Sequence, residues 1–395
     1  MQPTSQHLAP VGNRLPFLDG LRALAALWVL FGHVHLFALG WQQVPLALPL
    51  NALVYMHLGV DLFLVLSGFC LALPVVRRGG HIEDGLPAFF AARALRILPP
   101  YLAALLLILA VNCVVPIVSW GRNDLGLTAT MPAAVFWSNL MLMQDVLPEY
   151  NHVNGPFWSI ACEWHLYFTF PPLVWVLRRY GVRGLLLAGT AAATGLSMLS
   201  ACYPQLPLLH IAVPQPPFYI ALFVMGIAAA ALAAGPDAAL RRRSGHAGWL
   251  LLALVPLTWL LWRYRISDGA SAVRFAEHYM QIDLLAGAAS AALLLVLCRL
   301  SPTHWARRAV EWPALVGVGG FSYSLYLIHV PIVASVYYLM GARGWNAGWS
   351  GLASFGLLAL VGGPLCLALA WTFAQVFERR IGWRPFRQPA IAGQR

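Results

Sequence analysis

The side chains able to do chemistry are few, and each sits in or beside an apolar stretch. The segment FLDGLRALAALWVLFGHVHLF places Arg22 and His33 eleven residues apart. At roughly 3.6 residues per turn that is almost three turns, so both project from one helix face about 16 Å apart. His33 alone suits a structural imidazole bonded to a neighbouring helix as well as a general base or nucleophile; the aligned Arg22 and the nearby Asp19 favour a functional role. His35 points to nearly the opposite face and reads as interfacial. The segment NALVYMHLGVDLFLVLSGFCLAL carries Asp61 and Ser67, with Gly59 and Gly68 permitting close helix approach. Asp61 suits pairing with an imidazole or an arginine, or capping a helix, and a structural role stands ahead of a catalytic one.

Arg93 and Arg96 are spaced i and i+3, and two guanidiniums on one face are suited to bidentate phosphate binding. From spacing alone, ordinary flanking charge is the simpler account. Glu163 is the one acidic residue in NGPFWSIACEWHLYFTFPPL, and Ser159 and Tyr167, four residues to either side, share its face. A carboxylate there can exchange protons or orient an imidazole, while His165 turns away from it. Ser322, Tyr326 and His329, spaced by four and three, make one polar stripe that lines a cavity or joins helices.

The elements that hold these groups follow from composition. The 395 residues are 60% hydrophobic and 10% charged, with a mean hydropathy of +0.71. A soluble domain needs about 25% charged residues to cover its surface, so this chain belongs in lipid. Apolar stretches near spanning length, roughly 20 residues, occur near 18–38, 54–76, 96–116, 157–177, 184–201, 217–234, 247–262, 280–298, 314–340 and 352–377. The expected fold is therefore an all-α integral membrane bundle of about ten transmembrane helices, a single domain over 1–395 with no fused soluble domain. A short apolar piece near 133–144 is expected to be re-entrant or interfacial. The first apolar segment carries Asp19 and Arg22 and lacks a small-residue cleavage site, so it is expected to be retained.

The net charge is +11 and every basic residue is arginine. Such a charge can mark nucleic-acid binding, but here the arginines gather at helix ends, as cytoplasmic loops require. With both termini cytoplasmic, one side collects Arg14, Arg77, Arg78, Arg93, Arg96, Arg178, Arg179, Arg183, Arg241 to Arg243, Arg299, Arg307, Arg308 and the cluster from Arg379. The other side receives only Arg122, Arg263, Arg265, Arg274 and Arg343. The outer loop 202–216 is rich in proline (Pro204, Pro207, Pro214, Pro216). The six cysteines show no metal-ligand spacing, so neither a metal site nor a disulfide framework is expected.

Two function classes fit a polar interior of this kind. A transporter would relay protons through Asp61, Glu163 and the histidines. A transferase would take a charged donor from the cytoplasm and deliver a group to an acceptor outside. No internal repeat of the sort common in transporters stands out.

The motifs, taken in order, resemble acyltransferase family three, the integral membrane acyltransferases that O-acylate polysaccharides, lipopolysaccharide, peptidoglycan and some small molecules. FLDGLRALAALWVLFGH is similar to the family's first-helix signature, and GVDLFLVLSGF to its second-helix motif. RALR at 93–96 matches its Arg-x-x-Arg motif, GPFWSIACEWHLYF resembles its glutamate segment, and FSYSLYLIH its late-helix motif. The glutamate segment departs from the family pattern at Ala161-Cys162 and Trp164-His165-Leu166. The resemblance covers about residues 15 to 380. It implies that His33 is catalytic, that Glu163 is a functional carboxylate, and that Arg22, Arg93 and Arg96 contact the donor or stabilise the site. It further implies a multi-pass protein of the bacterial inner membrane with no bound cofactor. Acyl-CoA, by default acetyl-CoA, would be the donor. The acceptor would be a hydroxyl of a cell-surface glycan or lipid-linked sugar, or else a small molecule such as a macrolide, with glycan-assembly proteins as further partners.

Overall fold

A computed structural model describes residues 15–44, 48–114, 133–146, 153–202, 217–236, 244–342, 344 and 348–378. Among these residues the secondary structure is helical, with no strand. The helices are α1 (Pro16–Leu39), α2 (His57–Arg77), α3 (Gly85–Val114), α4 (Ala133–Leu140), α5 (Phe157–Cys202), α6 (Tyr219–Ala234), α7 (Ala247–Arg263), α8 (Gly269–Ala276), α9 (Tyr279–Arg299), α10 (Trp305–Val310), α11 (Pro313–Gly319), α12 (Ser322–Ala342) and α13 (Gly351–Phe377). Seven helices among the described residues are long and apolar enough to cross a bilayer, and α6 and α7 are shorter apolar helices. The chain is a multi-pass membrane protein.

Several boundaries differ from those read off hydropathy, each for a physical reason. α3 begins at Gly85 rather than near 96, because Arg93 and Arg96 lower the apolar average without breaking the helix. The apolar stretches near 157–177 and 184–201 are, as expected, two helices, joined end to end in the run labelled α5. At 46 residues that run would be about 69 Å long if straight, over twice the hydrocarbon thickness. It breaks at Gly181, whose φ of 69° and ψ of −169° suit glycine, and Arg178, Arg179 and Arg183 flank the break. The stretch near 314–340 divides into α11 and α12, and α13 contains a wider π-helical turn at Leu358–Gly362.

α4 is eight residues long and too short to span. Its polar side is tied down instead. Tyr101 Oη donates to the Asn139 carbonyl at 2.7 Å, Gln144 Nε2 donates to Phe157 O at 3.0 Å, and Asn154 Nδ2 donates to Leu327 O at 2.7 Å. Lipid offers backbone groups no partner, so these side chains complete the irregular stretch beside α4.

Small residues set the helix spacing. α2 packs along α6, and α1 against α2, α11 and α12. A Cβ on Gly68 would overlap the Phe223 carbonyl oxygen, and one on Gly226 would overlap that of Val65. The two glycines thus let α2 and α6 meet backbone to backbone, as small residues do where helices pack in lipid. Gly226→Ala is expected to destabilise the protein by about 1–3 kcal/mol, the usual cost of overpacking a close contact; thermal unfolding in detergent measures it, and an unchanged midpoint would refute the contact.

The arginines mark one end of the bundle. Arg77, Arg299 and Arg307 gather around Cys298, and Arg178 lies over Gly80. Arg14, Arg122, Arg241 to Arg243, Arg343, the cluster from Arg379 and the prolines of the 202–216 loop lie outside the described residues.

Candidate active site

An apolar bundle must turn its polar side chains toward one another, and here they converge on a chamber of about 280 Å³ between α1, α2, α3, α5 and α12. α1 contributes Arg22, α2 Ser67 and Cys70, α3 Arg93 and Arg96, α5 Ser159, Glu163 and Tyr167, and α12 Ser322 and Tyr326. Helical periodicity presents each set: Ser159, Glu163 and Tyr167 fall one turn apart on α5, and Ser322 and Tyr326 do so on α12.

Arg22 is held from both sides. Its Nη1 donates to Asp19 Oδ1 at 2.9 Å and its Nη2 to Cys70 Sγ at 3.0 Å. Glu163 Oε1 accepts from Ser67 Oγ and from Tyr167 Oη, both at 2.7 Å. Three guanidiniums therefore line the chamber against one carboxylate, since Asp19 pairs with Arg22 outside the lining. The excess of positive charge in a low-dielectric space favours an anionic ligand.

A hydroxyl pair leads out of the chamber. Ser159 Oγ and Tyr326 Oη are 2.7 Å apart, and the Tyr326 ring lies 5.8 Å, centre to centre, from the imidazole of His329. His329 Nε2 then meets His33 Nδ1 at 3.2 Å. The network assigns the tautomers. His329 Nδ1 faces the carbonyls of Tyr326 at 2.8 Å and Leu325 at 3.1 Å, so it carries the proton and Nε2 accepts. His33 Nδ1 faces the Val29 carbonyl at 2.8 Å and donates. That leaves the lone pair of His33 Nε2 available as a base, on a side chain that is half-buried.

The structure thus brings Arg22, Arg93, Arg96, Ser159, Glu163, Tyr167, Ser322 and Tyr326 to one chamber, with His33 and His329 paired beside it. Asp61 stands apart. It is fully buried, has no donor at either oxygen among the described residues, and lies near His57 and Asp283. The group that orients His33 is therefore neither Glu163 nor Asp61, as the sequence had allowed; the backbone of its own helix and His329 do so, because Ser67 and Tyr167 already occupy Glu163. His35 is not interfacial. It is buried with its ring 6.3 Å from that of Phe355, since α13 packs over that face of α1. Ser322 lines the chamber while its hydroxyl donates to Gly319 O at 2.9 Å, closing the turn before α12.

Spacing named Ser67 and His165 without their partners and passed over Cys70. Ser67 and Cys70 are three apart on α2 and share a face, a signal that was legible but unpaired without α1 and α5. His165, correctly turned from Glu163, bonds Asp145 Oδ2 through Nδ1 at 2.8 Å. Burial pushes the Asp145 carboxyl up, and this bond draws it back. Twenty residues of chain separate the pair, so spacing held no trace of it.

A family model described as an acyltransferase domain matches residues 15–374. The chain is 30% identical over 372 residues to "Acyltransferase MdmB" of Streptomyces mycarofaciens, covering 88% of this chain and 86% of that protein. It is 25% identical over 395 residues to "Nodulation protein 10" of Rhizobium leguminosarum bv. viciae, covering 95% of each. No solved structure matches. A family match over nearly the whole length, on helices that assemble one polar chamber, means that the chain belongs to acyltransferase family three and is a membrane acyltransferase.

Proposed function

We propose that the protein transfers an acyl group, acetyl by default, from cytoplasmic acyl-CoA to a hydroxyl of a cell-surface glycan or lipid-linked sugar. The observation that carries this reading is the arginine-rich chamber joined through Ser159, Tyr326 and His329 to His33. Arg22, Arg93 and Arg96 suit the phosphates of the donor, and the thioester would reach toward His33, which is paired with His329 beside the chamber. His33 Nε2 takes the proton of the acceptor hydroxyl as its oxygen attacks the thioester carbonyl. The carbon–sulfur bond then breaks, and the thiolate leaves with the proton returned by the imidazole.

Topology supports the same division of labour. The break at Gly181 divides α5 into two crossings, and α6 and α7 add two more to the remaining long helices, giving ten with both termini cytoplasmic. This threading places Arg77, Arg178, Arg179, Arg183 and Arg299 on the cytoplasmic face of a bacterial inner membrane. His33, far along α1 from Arg22, then faces the side where surface glycans are assembled.

Purified protein supplied with acetyl-CoA and a hydroxylated acceptor is expected to release free CoA thiol. Mass spectrometry of surface glycans from cells with and without the gene should differ by one acyl group. Flux of a small solute without CoA release would refute the reading in favour of transport.

A further inference from the structure

The second polar cluster of the bundle lies apart from the chamber, and it is chemically unbalanced. His57 at the start of α2, Asp61 one turn on, and Asp283 in the first turns of α9 place one ligand atom each within 4.8 Å of one another. Both carboxyl groups are fully buried. His57 Nε2 lies 3.1 Å from Asp283 Oδ1, and Tyr219 Oη donates to Asp283 Oδ2 at 3.3 Å. The imidazole and the phenol thus serve Asp283, and neither reaches Asp61. Asp61 receives no donor at either oxygen and makes no ion pair among the described residues. Two buried carboxylates side by side, one without any donor, call for a positive charge between them.

We infer that His57, Asp61 and Asp283 bind one divalent transition-metal ion of the zinc or manganese class, bracing α2 against α9. The donor set fits: one imidazole nitrogen and two carboxylate oxygens suit ions between the hard oxygen-binding and soft sulfur-binding classes. An ion bonded at about 2.0–2.2 Å holds its ligand atoms roughly 3–4 Å apart, so a shift of about an ångström closes the site. A proton shared by the two carboxyls would also relieve their repulsion, with the imidazole paired to Asp283 alone, and the experiment below separates the two arrangements. An access route exists as well. A cavity of about 280 Å³, walled by Trp41, Met56, Ile266 and Tyr279, ends on His57, which keeps 17% of its side-chain surface exposed. His57 and Asp61 are four residues apart, but Asp283 lies more than two hundred residues on, so the sequence carries no metal-ligand signature.

The test uses the full-length protein in detergent, loaded separately with Zn²⁺ and Mn²⁺, passed through gel filtration in metal-free buffer and analysed for metal by mass spectrometry. About one equivalent of one of the ions per chain is expected to remain, against a background level in Asp61→Asn and Asp283→Asn. Chelation should lower the unfolding midpoint of the wild type, and readdition of the ion should restore it; this arm stands even if a variant fails to fold. Wild-type protein that retains neither ion, or a midpoint insensitive to chelator, would overturn the proposal. A wild type that unfolds at one midpoint with or without either ion and after chelation would assign a shared proton in its place.

Discussion

Replacing His33 by alanine is expected to lower acyl transfer by about 10²–10⁴-fold, the range a positioned general base contributes. The variant should reach the membrane in wild-type amount, since the side chain is half-buried and, among the described residues, its hydrogen bonds run to Val29 O and His329. The tautomer assignment sharpens the expectation. Val29 O and His329 Nε2 both draw on the Nδ1 proton of His33, which fixes Nε2 as the basic atom. His329→Gln keeps an acceptor near that proton and should reduce the rate by roughly tenfold, because it disturbs orientation without removing the base. Radiolabelled acetyl transfer and thiol release measure both variants. Wild-type transfer by His33→Ala, at equal protein in the membrane, would remove the residue from the mechanism.

The second large effect belongs to Arg93 and Arg96. Hydrogen bonds to charged groups contribute about 1.5–3 kcal/mol each, or roughly 10–100-fold in affinity. The double variant Arg93→Gln with Arg96→Gln is accordingly expected to lower kcat/KM for acyl-CoA by about 10²–10⁴-fold, chiefly through KM. A donor shortened to acetyl-pantetheine lacks the nucleotide phosphates, so its kcat/KM should hardly respond to the double variant. Equal losses with both donors would show that the arginines act on the reaction rather than on the phosphates. Arg22 is less suited to this experiment, because its ties to Asp19 and Cys70 join α1 to α2 and its loss would disturb the fold.

Much of the chamber was legible in spacing. Ser159, Glu163 and Tyr167, or Ser322, Tyr326 and His329, share helix faces because the periodicity of a helix is a local property. Arg93 and Arg96 show the limit. Two guanidiniums at i and i+3 are indistinguishable from flanking charge until Glu163 and Arg22 arrive from other helices to line the same space. Asp61 shows another limit. Its place in a span favoured a structural role without naming a partner, and its neighbours His57 and Asp283 set it apart from the chamber. The division of α5 was legible, since the apolar stretches near 157–177 and 184–201 are parted by Arg178, Arg179 and Arg183, and the kink falls at Gly181 between them.

Composition and the spacing of apolar runs set the solvent and the elements. Apolar runs with few charges require lipid, lipid requires helices, and the rarity of polar side chains named nearly every residue of the chamber in advance. The sequence also carried the family, because the motifs keep their order along the chain. Only the tertiary structure decided the partners: His329 rather than a carboxylate for His33, Ser67 and Tyr167 for Glu163, Cys70 for Arg22, Asp145 for His165. The reason is physical. Which helix faces meet depends on backbone contacts such as Gly68 with Phe223 and Gly226 with Val65, made between segments far apart in the chain, and local spacing holds no record of them.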